Sequence, residues 1–150
     1  MKNLFEAATV DAVKGRIMRL KPDSERQWGR MNSAQALAHC SIAIEMAMGK
    51  VYVKRILLGR LVGPMAKRSL IEKGEPMRRG AKTPKVCEVM DERDFATERQ
   101  HLVEFINRFA KGGPEKCATY PHFFFGPLAP KEWSVLMYQH LDHHLRQFGA

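Results

Sequence analysis

Apolar residues recur at three- and four-residue steps in four stretches of the chain, the spacing of one buried helix face. Val10, Val13, Ile17 and Leu20 predict a helix over 9–20, with Thr9 as its N-cap and Pro22 beyond its end. An alanine-rich stretch predicts a second helix over 32–48, opened by Asn32 and Gln35 at capping-box spacing and closed by Gly49. Phe95, Leu102, Phe105, Ile106 and Phe109 share one face of a third helix over 93–110, capped by Asp94 and ended by Gly112-Gly113-Pro114. A last helix over 130–148 opens at Pro130, a residue suited to the first turn. No strand pair is convincing, because Phe123-Phe124-Phe125 is short and lies between prolines.

The exception to this regularity is the stretch 50–90. Lys54 to Leu58 and Met65 to Ile71 could each make a helical turn or two, but Gly59, Gly63 and Pro64 interrupt them, and 73–85 reads as a surface excursion. Four helices with one long connection between the second and third predict an all-α four-helix bundle with a long crossover, in one domain spanning residues 1–150. The aromatic run 123–125 reads as a plug for the end of the core.

Charge changes the picture at one place only. The chain carries 25 Lys and Arg against 16 Asp and Glu, a formal charge of +9. Residues 50–86 hold eleven basic side chains and only Glu72 and Glu75 as acids, so this stretch accounts for the whole surplus. Lys54, Arg55, Arg60, Lys67 and Arg68 are the candidate anion-binding residues within it. Three separated cysteines, with no CxxC pair, suit a reducing compartment better than a disulfide framework. No stretch has the length of a membrane span, and no apolar signal region precedes the first charges, so a cytoplasmic protein is expected.

The candidate chemistry lies in histidines. On a projection of the last helix at about 100° per residue, His140 and His144 fall within the apolar face of Trp133, Met137, Leu141 and Phe148, and His143 falls on its margin. Two inward imidazoles one turn apart can share an ion. His39, on the shoulder of the second helix, can join them if the two helices are neighbours. Three imidazoles with coordination positions left open describe a catalytic rather than a structural site. The competing reading is three core histidines, each hydrogen-bonded to a neighbour. Cys40 projects away from His39 into the apolar arc as a core thiol, and Asp142 and Glu45 read as solvated.

Met31-Asn32-Ser33-Ala34-Gln35-Ala36-Leu37-Ala38-His39-Cys40, the run Phe124-Phe125-Gly126-Pro127-Leu128-x-Pro130-x-Glu132-Trp133 and the ending His140-Leu141-Asp142-His143-His144-Leu145-Arg146-Gln147 resemble the DinB/YfiT-like superfamily, most closely a bacterial subgroup of unknown function. The resemblance covers nearly the whole chain. It implies a DinB-like four-helix bundle holding a divalent metal, commonly zinc or nickel, through His39, His140 and His144. Gln147 and Gln35 are then placed to support the ligands or position a substrate.

Two classes of function follow. In one, the metal activates a water or a thiolate for hydrolysis or thiol S-transfer on a small-molecule substrate, with a low-molecular-weight thiol as co-substrate. In the other, the basic 50–86 segment binds an anionic surface, lipid or nucleic acid, without catalysis. Against specific nucleic-acid binding, that segment has one aromatic residue, Tyr52, and no recognised motif. Against a membrane, Gly59, Gly63 and Pro64 should spoil an amphipathic helix. A homodimer is expected from the resemblance, with the apolar residues of 56–71 as a contact.

Overall fold

Each predicted helix forms because its local signals agree with a buried face. The computed structural model describes residues 1–81 and 83–150, and these are all-helical. Helix α1 spans Ala7–Arg19, α2 Ser33–Ala47, α3 Leu57–Lys67, α4 Phe95–Gly112 and α5 Pro130–Gln147. In α2 the Gln35 amide N–H donates to Asn32 Oδ1 at 2.9 Å, and the Asn32 N–H donates to Gln35 Oε1 at 3.0 Å, a complete capping box. Asp94 Oδ1 caps α4 by accepting from the Thr97 amide at 2.8 Å. The start of α1 differs from expectation. Its N-cap is Glu6, and Thr9 lies inside the first turn with its hydroxyl donating to Glu6 Oε2 at 3.1 Å.

Helix α2 packs on α4 and α5, and α1 packs on the same two helices. Their shared core includes Ile17, Ile44, Leu102, Ile106, Phe109, Trp133 and Leu141, all almost fully buried. One polar tie crosses the core's edge. Asp142 accepts from Arg16 Nη1 of α1 at 2.6 Å and also pairs with Arg146 at 3.1 Å, so it is a bridge between helices rather than a solvated acid.

The largest departure from the sequence reading is α3. Gly59, Gly63 and Pro64 do not break it; it runs eleven residues and continues into a π-helical turn, Arg68–Glu72. The glycines are what seat it. A methyl group at Gly59 would lie 2.6 Å from Phe124 Cα, and one at Gly63 would overlap the Phe124 carbonyl oxygen. Four residues apart on one face, they let the helix backbone rest directly on the 122–126 loop.

That loop is folded around His122. The His122 and Gly126 backbones exchange an antiparallel bridge, and His122 Nδ1 accepts from the Phe124 and Phe125 amides at 3.1 and 3.2 Å. The ring is flanked by Phe123, Phe125 and Trp133 with centroids 4.3, 4.9 and 5.4 Å away. Phe123 and Phe125 pack against the core, as a plug should.

Two outcomes test this account. Gly63→Ala should cost about 1–3 kcal/mol in urea unfolding, since the helix must lift off Phe124, while Leu61→Ala on the exposed face should stay within about 0.5 kcal/mol. The second concerns His122, whose pKa burial lowers from 6.5 to about 3. Unfolding raises it again, so its contribution is complete above pH about 6.5 and declines as pH falls towards 3. His122→Asn keeps an acceptor but does not titrate. Its stability should fall with acid less steeply, by about 1.4 kcal/mol per pH unit between pH 6 and 4. An unchanged slope would show that His122 is not held neutral by the loop.

Candidate metal centre

His39 lies in the middle of α2, and His140 and His144 lie one turn apart on α5. Because α2 and α5 are neighbours, the three rings meet. Their centroids form a nearly equilateral triangle with sides of 4.9, 4.8 and 4.7 Å. One ring nitrogen from each lies within 4.8 Å of the other two, and the His39 and His140 Nε2 atoms are 3.0 Å apart. Three nitrogens on a shared tetrahedral ion stand roughly 3.3 Å apart, within that spacing, so the group could hold a metal ion.

Two outer contacts decide which nitrogen His39 and His144 present. His39 Nδ1 is 2.7 Å from the Cys87 carbonyl oxygen, which can only accept, so the proton sits on Nδ1 and the Nε2 lone pair points into the triangle. His144 Nδ1 is 2.8 Å from Gln147 Oε1. The orientation of that amide is fixed in turn, because Gln147 Nε2 donates to the Trp28 carbonyl at 2.7 Å. His144 therefore also carries its proton on Nδ1 and turns Nε2 inward. Gly29, at φ 80°, has no side chain where one would collide with the Gln147 amide.

The electrostatics keep the rings neutral. Burial, reinforced by the neighbouring imidazoles, lowers His140 well below its ordinary value and takes His144 from 6.5 to about 3. His39 is lowered by burial as well, partly offset by its Cys87 hydrogen bond. Neutral imidazoles are the form that ligates.

The remaining candidates are placed as follows. Gln35 spends its amide on the α2 cap and on the Asp91 carbonyl, 3.1 Å away, so it turns no group toward the triangle. Cys40 is a core thiol whose pKa burial raises. His143 lies beside the triangle and contributes no nitrogen to it; it is buried, its ring 5.0 Å from that of His144, 5.7 Å from Trp28 and beside the Met77 backbone. Above it the Arg79 guanidinium stacks on Trp28 at 3.9 Å. The 21–30 connection and the 73–81 excursion therefore cover this side of the site. A lone Trp in a polar connection was the one signal in the sequence for that role.

The proposed anion-binding residues do not act as one group. Lys67 pairs with Glu132 at 2.8 Å and donates to the Pro127 carbonyl at 3.2 Å. Arg55 folds back onto Gly126 and the Gly59 carbonyl. Lys54, Arg60 and Arg68 stay exposed, and Lys82 of the same basic segment lies outside the described residues. Among the described residues no helix is long and apolar enough to cross a membrane.

No curated protein and no solved structure matches this chain at a significant level. A family described as a protein of unknown function does match, from residue 2 to residue 150, and over that full span the chain belongs to the DUF1569 family.

Proposed function

We propose that this protein is a DinB-like metalloprotein whose His39, His140 and His144 hold a divalent ion, zinc or nickel, at the junction of α2 and α5. The observation that carries the reading is the pair of outer hydrogen bonds. Cys87 and Gln147 fix two of the three imidazoles in the tautomer that sends a bare Nε2 to the common centre. Core histidines without a ligand have no need of that convergence.

A divalent ion in such a site lowers the pKa of a water or thiol and so supplies a nucleophile at neutral pH. The protein's own part is to hold three neutral ligands, leave coordination positions open, and exclude competing donors. Cys40 adjoins His39 but stays in the core, and among the described residues no cysteine joins the three-histidine group. The reading favours a small electrophilic substrate, in hydrolysis or in transfer to a low-molecular-weight thiol. The motif resemblance supports the four-helix DinB-like arrangement as part of the same proposal.

Metal analysis of the purified protein is the first test, with one ion per chain expected. His140→Ala and His144→Ala should abolish stoichiometric metal, whereas His143→Ala should destabilise the chain yet keep its ion, since its ring packs against Trp28 and His144 without bringing a nitrogen into the group. Gln147→Ala should weaken affinity by about 10–100-fold, as expected for loss of a group that orients a ligand. Equal metal loss in the His140 and His143 variants would show that the ligands are misassigned.

Chelation supplies the second test. An ion bound at about a hundred times its Kd stabilises by about 2.7 kcal/mol, so chelator should lower Tm by about 5–10 °C and zinc or nickel should restore it. Turnover in a panel of thiol transfers and ester or amide hydrolyses should follow the same loss and recovery. A protein that purifies without metal and melts identically with chelator has core histidines only.

A further inference from the structure

Helix α3 is amphipathic in the reverse sense. Projected at about 100° per residue, Leu57, Leu58, Leu61 and Met65 form one ridge, and Gly59 and Gly63 lie roughly opposite it. The glycines face the protein and the large apolar side chains face water. Leu57, Leu61 and Met65 are 73%, 72% and 72% exposed, and Leu58 58%. Burying this ridge inward is not an alternative, because the close seating on Phe124 requires the glycine face there. A monomer that exposes four contiguous large apolar residues on one helix presents a surface that awaits a partner.

The charges around the ridge identify the kind of partner. From Met46 to Ile71 the chain has six Lys and Arg and no Asp or Glu. Lys67 and Arg55 are engaged within the fold, but Lys54 just before the helix, Arg60 on its flank and Arg68 at its end are exposed. A second copy of the chain is a poor occupant: α3 against α3 would bring these cations together with no acid of the segment to pair them. An apolar ridge bordered by long basic side chains matches a surface that is apolar at depth and anionic at its edge.

We propose that α3 is a peripheral docking helix for anionic lipid bilayers, its axis lying in the interface with Leu57, Leu58, Leu61 and Met65 in the acyl boundary and Lys54, Arg60 and Arg68 at the headgroups. The 122–126 loop holds the helix ready in its bound form, so docking costs no folding. This is independent of the metal centre.

Flotation of the full-length protein with vesicles tests it, using phosphatidylcholine alone and phosphatidylcholine with phosphatidylglycerol at about three to one. Retention on the anionic vesicles, weakened by salt, is expected, with little on the neutral ones. Leu61→Gln with Met65→Gln should reduce anionic retention by at least about tenfold. Arg60→Glu with Lys54→Glu should also reduce it by more than about tenfold. Both pairs change exposed residues, and an unchanged Tm and metal content will show that the fold is intact. Retention that is equal on both vesicle types, absent from both, or unaltered in the Leu61/Met65 variant would overturn the proposal. So would a stable dimer that the same variant makes monomeric, which would assign the ridge to a second copy of the chain.

Discussion

An imidazole can be taken out of water only if it is neutral and its ring N–H finds an acceptor, and α2 and α5 meet around three of them. Satisfying the rings draws two otherwise irregular segments onto the helices. The 85–91 stretch lies against α2, where the Cys87 carbonyl receives the His39 proton. The 21–30 connection lies against α5, where Trp28 holds the Gln147 amide that receives the proton of His144. The same two contacts that make burial tolerable also set the tautomers. In this site the demands of stability and those of the proposed metal ligation coincide.

What was legible in the sequence was whatever periodicity and caps encode. The α2 capping box, the Asp94 cap and the Pro130 start each need residues within three positions of one another, and each is found as read. The inward projection of His140 and His144 was legible for the same reason, since an eighteen-residue helix has one dominant apolar face. The burial of His143 was not legible, because a projection knows only one buried side. Trp28, Met77 and Arg79, distant in the chain, supply a second. Gln35 shows the opposite limit. It stands one turn before His39, yet the cap it completes and the Asp91 carbonyl take both ends of its amide.

Helix α3 was missed for a different reason. Glycine and proline are counted against a helix on intrinsic propensity, a cost of about 1 kcal/mol for each glycine and about 3 for an interior proline. That cost is offset here by backbone contact with Phe124 that any larger residue would prevent. The signal available in the sequence was the four-residue spacing of Gly59 and Gly63, meaningful only once a loop is known to lie beneath them. The rule that large apolar residues mark the inward face then fails as well, because close seating demands small residues and turns the leucines outward.

Formal charge is a poor guide to the free charge of the basic segment. Of its cations, Lys67 is held by Glu132, Arg55 by the loop it folds onto, and Arg79 by the Trp28 ring. These three act as fasteners: Lys67 and Arg55 fix α3 to the loop and the start of α5, and Arg79 closes the excursion over His143. The cations that remain exposed include Lys54, Arg60 and Arg68, which border the ridge, and Lys50, Lys73, Arg78 and Lys85 elsewhere on the segment. Three of the exposed cations thus flank the α3 ridge, and the proposed lipid docking rests on those three rather than on the whole surplus.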